Sequence, residues 1–217
     1  MTVITGGQGT LAQALCASFE STRHQVIAPG RDTLDVRDAA SVEAFFQQIP
    51  DPIDLLISQA AIVKDGPLVR MTEGDWDDVV DTNLKGAWLI ARAFLASLQG
   101  RPGHLIHVGS YSGLSGPSGQ ANYAAAKAGL IGLTQSLARE CGPQGIRVNA
   151  ILPGFLETRM TEHLTDAQRA RFREEHVLGE FNTVHEVAKF VRFLHEDLIH
   201  TSGQAFQLDS RVRHPGW

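Results

Sequence analysis

Along this chain of 217 residues, short runs of aliphatic and β-branched residues alternate with longer stretches in which apolar side chains recur every three or four positions. The first kind predicts strands at residues 2–5, 25–28, 55–58, 104–108, 147–151 and 205–208. The second predicts helices at 11–20, 40–49, 72–98, 122–141 and 184–194. Short strands that stay apolar belong to a sheet buried on both faces, and strands that alternate with helices make such a sheet parallel. The pattern therefore predicts one α/β domain over 1–217, a doubly wound Rossmann-type parallel sheet with helices on both faces. No internal repeat, low-complexity tract or Pro/Gly/Ser-rich linker marks a domain boundary.

At 43% hydrophobic and 20% charged residues, the chain has the means to build one ordinary packed core. Its formal net charge of −5 argues against a broad basic surface for nucleic acid or anionic lipid, while leaving local basic patches open. Cys16 and Cys141 stand apart, and neither they nor His104, His107, His185, His195 and His200 fall at metal-ligand spacing. The thiols read as structural and the histidines as surface or strand residues. The first strand run begins at Thr2, where a signal peptide would need its charged and apolar regions, and no apolar run is long enough to span a bilayer. The expectation is a cytoplasmic protein without membrane or nucleic-acid partners.

Candidate chemistry centres on Tyr123 and Lys127, four residues apart in a helical stretch, so that a phenol and an ammonium share one face. A phenol titrating near about 10 is a poor proton donor or acceptor at neutral pH, and a cation beside it brings it toward the working range. Ser110 lies thirteen positions upstream, and Asn83 further back in Asp81-Thr82-Asn83-Leu84. Alone, Tyr-x-x-x-Lys is common and reads as a core tyrosine above a solvated lysine. At the N-terminus, Gly7-x-Gly9-x-x-Ala12 follows a strand and opens a helix, which is where glycines let a backbone approach a pyrophosphate and helix N–H groups meet its charge.

Taken together, in this order and at these intervals, the residues resemble those of the short-chain dehydrogenase/reductase family, from the first strand to near the C-terminus. The resemblance implies that Tyr123 is the general acid or base and that Ser110 holds the substrate carbonyl. Lys127 would lower the Tyr123 pKa while gripping the nicotinamide ribose, and Asn83 would order a water that resupplies protons through Lys127. It further implies cofactor contacts from Gly6, Gly7, Gln8, Gly9 and Leu11 at the glycine turn, from Asp35 and Val36 at the adenine, and from Gln59 and Ala60 at the adenosine ribose. Tyr123, Lys127, Pro153, Gly154, Leu156 and Thr158 would surround the nicotinamide end. Asn83 as a helix-bending residue and Ser110 as an ordinary loop hydroxyl are the competing readings.

Three departures from the family pattern stand out. The glycine spacing is compact, with Ala12 in the last place. Ser58-Gln59-Ala60-Ala61 stands where the family has Asn-Asn-Ala-Gly, so the bracing of that loop is expected to change. Only Pro29 to Thr33 separates the second strand from Leu34, where the family inserts a helix and the start of a third strand, so a truncated third strand and an open adenine side are expected. At the end of the second strand the chain offers Gly30-Arg31 in place of the carboxylate that would accept hydrogen bonds from the NAD ribose. A guanidinium there pairs with a 2′-phosphate, which predicts NADP(H), with a solvated turn residue as the alternative.

Residues 119–140 and 151–161 are most similar to 3-oxoacyl-[acyl-carrier-protein] reductases. That similarity implies an acyl-thioester substrate on acyl carrier protein. Arg169, Arg171 and Arg173 in the lid segment are candidates for a basic docking patch, against the alternative of a charged helix face followed by Glu174 and Glu175. Small and apolar stripes on 84–98 and 122–141 suit a helical interface in a homodimer or homotetramer. A secondary-alcohol dehydrogenase running oxidatively and a non-catalytic dinucleotide-binding module remain open at this point.

Overall fold

The computed structural model describes residues 1–22 and 24–212. Within them, strands β1 (Thr2–Ile4), β2 (Val26–Ile27), β3 (Leu55–Ser58), β4 (Gly103–Val108), β5 (Ile146–Leu152) and β6 (Ala205–Gln207) form a parallel sheet in the spatial order β2-β1-β3-β4-β5-β6. The order reverses direction between β1 and β3, which is where a doubly wound sheet opens a crevice beyond the carboxyl ends of its strands. Registers such as Leu56 opposite Leu105 and Leu105 opposite Val148 carry the apolar runs through the centre of the sheet.

Because successive strand residues face opposite ways, the sheet builds two cores. On one side Val3, Leu56, Leu105 and Val148 pack against helices α2 (Ala39–Gln47) and α4 (Gly86–Ser97), with Phe94 and Leu98 at the centre. On the other, Ile4, Leu55, Ile57, Ile106 and Ile151 pack against α1 (Thr10–Glu20) and α8 (Val184–Glu196), with Phe19 and Leu194 fully buried. The remaining helices are α3 (Glu73–Val80), α5 (Ser112–Ser115), α6 (Ala121–Cys141) and α7 (Asp166–Glu174). Their starts follow local chemistry. Thr72 accepts from the Asp75 N–H ahead of α3, and Thr165 and Thr183 form reciprocal capping boxes with Gln168 and Glu186 ahead of α7 and α8.

The structure departs from the sequence reading in three places. The stretch expected as one helix over 72–98 is α3 and α4 joined through a π-helical turn at Asp81–Lys85. Helix α7 lies in the lid segment, where its mostly exposed, charged residues give no apolar stripe to read. The truncated third strand is not formed at all among the described residues. The chain passes from the two-residue edge strand β2 through turns into α2, and Leu34 and Val36 plug the core beneath that passage.

The strand histidines are deeply placed. His104 stacks on His195 with ring centroids 5.5 Å apart, and its Nε2 lies 3.0 Å from the Asn149 amide. Arg147 donates to the carbonyls of Leu194, His195 and Leu198, closing the C-terminus of α8 and adding to the fields that, after burial itself, hold His195 down at about 4. His107 is fully buried in β4, and neither ring nitrogen has a hydrogen-bond partner among the described residues. Burial, then the Lys127 charge, lowers it to about 3. Both groups titrate lower in the folded chain than when unfolded, so between their folded values and about 6.5 the unfolded chain binds more protons. Stability in urea should fall as pH drops from about 6.5 toward 4, and His107→Leu should weaken that fall. Equal acid sensitivity in both proteins would show that His107 does not contribute to it.

Candidate active site

At the carboxyl end of β4 the backbone turns through Gly109, where a Cβ would lie 2.5 Å from the Leu152 side chain, and delivers Ser110 into the crevice. The Ser110 hydroxyl accepts from the Ser112 N–H at 3.1 Å at the start of α5. Helix α6 comes close enough that a Cβ on Gly113 would meet backbone atoms of Lys127 and Ala128 at 2.7 Å. That contact brings Ser110 and Tyr123 together, and their hydroxyls interact. Lys127, 2% exposed, donates from Nζ to the Val108 carbonyl at 2.8 Å, and its ammonium lies 5.6 Å from the Tyr123 ring centroid.

The electrostatics of this pair differ from the expectation drawn from spacing. Burial pushes the Tyr123 phenol up to about 12 against the opposing Ser110 hydrogen bond, with Asp65 raising it further. Burial likewise brings Lys127 down to about 8. With its ammonium turned to a carbonyl, Lys127 does not lower the phenol here. Asn122, on the same helix, accepts from the Tyr123 N–H at 2.7 Å and donates to the carbonyls of Lys64 and Asp75, while Gln120 joins Ser112 to Asp65. These two residues fix the tyrosine's turn of helix, and sequence reasoning passed over them as ordinary polar positions.

Asn83 lies in the π-helical turn, buried, with its amide spanning the backbone of Ile62: Oδ1 accepts from the N–H and Nδ2 donates to the carbonyl, both at 2.9 Å. Inserted residues of this kind redirect a helix face, and here the turn aims an amide at the loop after β3. That loop is braced otherwise than by the family's asparagines. The Thr5 hydroxyl accepts from the N–H groups of both Gln59 and Ala60, at 2.9 and 3.1 Å.

The glycine turn has the features that a pyrophosphate requires. Gly6 adopts φ +71° with Ala60 packed against its Cα, and a Cβ on Gly7 would lie 2.1 Å from the Ala28 carbonyl. Helix α1 starts at Gly9 with no side-chain cap and no acidic residue in its first turn, so its N–H groups remain for an anion. The Gln59 amide reaches toward Gly9, and its buried Oε1 has no partner among the described residues. The Leu11 side chain points into the core. Gln8 is exposed, lies over Gly30, and accepts through its carbonyl from Arg159 of the lid.

On the adenine side, Asp35 accepts from Arg37 at 3.0 Å, which together with the Arg37 N–H lowers its carboxyl, and Arg31 lies 3.8 Å away and largely exposed. Arg37 also reaches Asp78. Two guanidiniums therefore flank this end where the sequence reading named one. Val36 is buried against Gly86 in the core. At the opposite end, the Pro153 carbonyl accepts from Asn182, Gly154 takes φ +86°, and Thr158 caps a turn with Thr161, while the Leu156 side chain belongs to the core under α1 and α8. Of the three lid arginines, Arg169 is consumed inside the lid by Thr161, Leu164 and Glu157, while Arg171 and Arg173 are both exposed, Arg173 with its guanidinium over the Phe181 ring.

Among the described residues no group of acidic, histidine or cysteine side chains is arranged to hold a metal, and no helix is long and apolar enough to cross a membrane. The glycine turn, the uncapped helix and the orphaned Gln59 oxygen together fit a dinucleotide. Comparison with known proteins gives the same orientation. The family model described as enoyl-(acyl carrier protein) reductase matches residues 6–210. The 3-oxoacyl-[acyl-carrier-protein] reductases of Escherichia coli strain K12 and Salmonella typhimurium strain LT2 are each 42% identical over 168 residues, covering 76% of this chain and 69% of theirs. The counterpart from Pseudomonas aeruginosa is 43% identical over 160 residues, covering 73% of this chain and 64% of its own. With the glycine turn, the Ser110–Tyr123–Lys127 cluster and the Asn83 turn in place, the chain belongs to the short-chain dehydrogenase/reductase family.

Proposed function

We propose that this chain is an NADP(H)-dependent reductase that converts the carbonyl of a 3-oxoacyl thioester, presented on acyl carrier protein, to a secondary alcohol. The observation that carries the reading is geometric: the Tyr123 phenol meets the Ser110 hydroxyl at the carboxyl edge of the sheet, on the helix that Lys127 ties to the end of β4. When bound, the nicotinamide dinucleotide supplies the hydride. Ser110 and Tyr123 both present hydroxyl donors to the one carbonyl oxygen on which negative charge develops. Tyr123 then gives up its proton to that oxygen.

Lys127 is the group that resets the tyrosine. Released from the Val108 carbonyl toward the phenol, its ammonium would stabilise the phenolate left after transfer, and a residue at about 8 remains mostly charged at neutral pH. Asn83 fixes the Ile62 backbone in the loop after β3, and its role in resupplying the proton would be through an ordered water. Arg31 and Arg37 would share the 2′-phosphate, and Arg159 would bring a lid cation to the pyrophosphate end. Arg171 is the lid residue offered to an acidic carrier. The exposed Trp88 under Arg92, with exposed Ala125, Ala128 and Gly132 on α6, offers a face for a second copy of the chain.

The deciding measurement is loss of NADPH absorbance on addition of acetoacetyl thioester. Tyr123→Phe should lower kcat by roughly a thousandfold, within the usual range for a general acid, and leave the dinucleotide Kd within about threefold. Turnover near that of the parent protein would remove Tyr123 from the proton-donating role. The two ends of the cofactor separate in a second experiment. Arg31→Asp should reduce the NADPH-to-NADH ratio of kcat/KM by about tenfold or more, the scale of one charge-assisted hydrogen bond. Arg159→Ala should weaken both cofactors by a similar factor without changing that ratio. A changed ratio in Arg159→Ala, or an unchanged one in Arg31→Asp, would reverse these assignments.

A further inference from the structure

After β6 the chain runs Gln207-Leu208-Asp209-Ser210-Arg211, and this stretch meets the turn after β4, the bend after β5 and the end of the lid segment. The Asp209 side chain is fully buried and accepts four donors: Arg211 Nε at 2.7 Å, Arg211 Nη2 at 2.5 Å, the Arg211 N–H at 3.2 Å and Gln207 Nε2 at 2.7 Å. A buried carboxylate so fully paired escapes the usual cost of burying a charge. It occupies the space left by Gly154, where a Cβ would lie 2.5 Å from the Asp209 Cβ. The Arg211 guanidinium, 10% exposed, lies 3.7 Å above the Tyr111 ring centroid and 3.7 Å from the Glu175 carboxylate. Hydrogen bonds complete the connection: the Val177 N–H donates to the Ser210 carbonyl, the Leu178 N–H to the Ser210 hydroxyl, and the Asn182 side-chain amide to the carbonyls of Pro153 and Leu208.

Five residues thus join the turn carrying Ser110, the Pro153–Gly154 bend and the end of the lid segment. Tyr111 adjoins Ser110, and the carbonyls of both anchor the turn of α5, so a contact that holds Tyr111 bears on the same turn that carries Ser110. We propose that Asp209 and Arg211 form a clamp in which Arg211 is a positioning residue, setting Ser110 through Tyr111 and holding the base of the lid against the crevice. The proposal rests on the reductase reading for its kinetic consequence, but the clamp itself is a mechanical statement and is tested separately.

The kinetic arm compares Arg211→Met, Arg211→Lys, Tyr111→Leu and the Arg211→Met/Tyr111→Leu pair in the full chain, with NADPH and acetoacetyl thioester, rates being taken per dinucleotide-binding site. Arg211→Met should lower kcat by about tenfold with the KM for NADPH within about twofold, and Arg211→Lys should recover little, because an ammonium cannot both stack and pair in a fork. The double variant should be no slower than the slower single one, since both act through one contact. An unchanged kcat per binding site, or single effects that multiply in the pair, would overturn the proposal. The mechanical arm is the rate at which trypsin cuts at Arg171 and Arg173, which should rise several-fold in Arg211→Met. If the parent protein turns over no acetoacetyl thioester, the reductase reading fails while this arm still decides the clamp: equal cutting rates in parent and variant would sink it.

Discussion

The site hangs on a lysine ammonium taken almost wholly out of water and given a strand-end carbonyl as its partner. Lys127 reaches from α6 to Val108 across 2.8 Å, and that bond ties the helix to the edge of the sheet where the chain turns toward Ser110. An ammonium in such surroundings is costly unless it is bonded, so its position is strongly determined. The close approach at Gly113 and the amide of Asn122 secure the same helix from either side, and Tyr123 inherits its place from all three. The same burial that fixes the residues also sets their proton affinities. Phenol and ammonium are both moved toward their neutral forms.

How much of this could be read along the chain follows from the range of the forces involved. The strands were legible because a sheet covered on both faces demands continuous apolar runs, and β3 and the body of β4 fall where those runs lie. Tyr123 and Lys127 were legible because helical spacing places them on one face whatever surrounds them. Asn122 and Gln120 escaped notice because their importance comes from Lys64, Asp65 and Asp75, which lie far away in sequence. Arg169 was a candidate for a docking surface through the family resemblance, with a charged helix face as the alternative, and it is spent on carbonyls within its own segment. Helix α7 had no apolar stripe to announce it, only the Thr165–Gln168 pair at its start.

The missing third strand changes the energetics of one edge without disturbing the rest. Strand β2 has two residues and only β1 beside it, so the adenine end is bounded by turns and by side chains instead of another strand. Leu34 and Val36 take over the task of closing the core, and Val36 does so directly against Gly86, at the start of α4. Arg37 and Asp35 are locked in an ion pair just above this plug. The region that would recognise the far end of a cofactor is therefore built from turns, held locally by the Asp35–Arg37 pair and anchored at longer range by Arg37 on Asp78 and Val36 on Gly86.

The π-helical turn has a consequence for how this stretch of chain tolerates change. One extra residue in a helix rotates everything after it by about 100° relative to an uninterrupted spiral. The faces of α3 and α4 are therefore out of phase, with Asn83 at the seam between them. Loss of a single residue between 81 and 85 would regularise the hydrogen bonding of the helix and still be ruinous. It would swing Ile90 and Phe94 off the core and carry Trp88 round with them. Length, at this point in the chain, is as much a determinant of the site as chemistry.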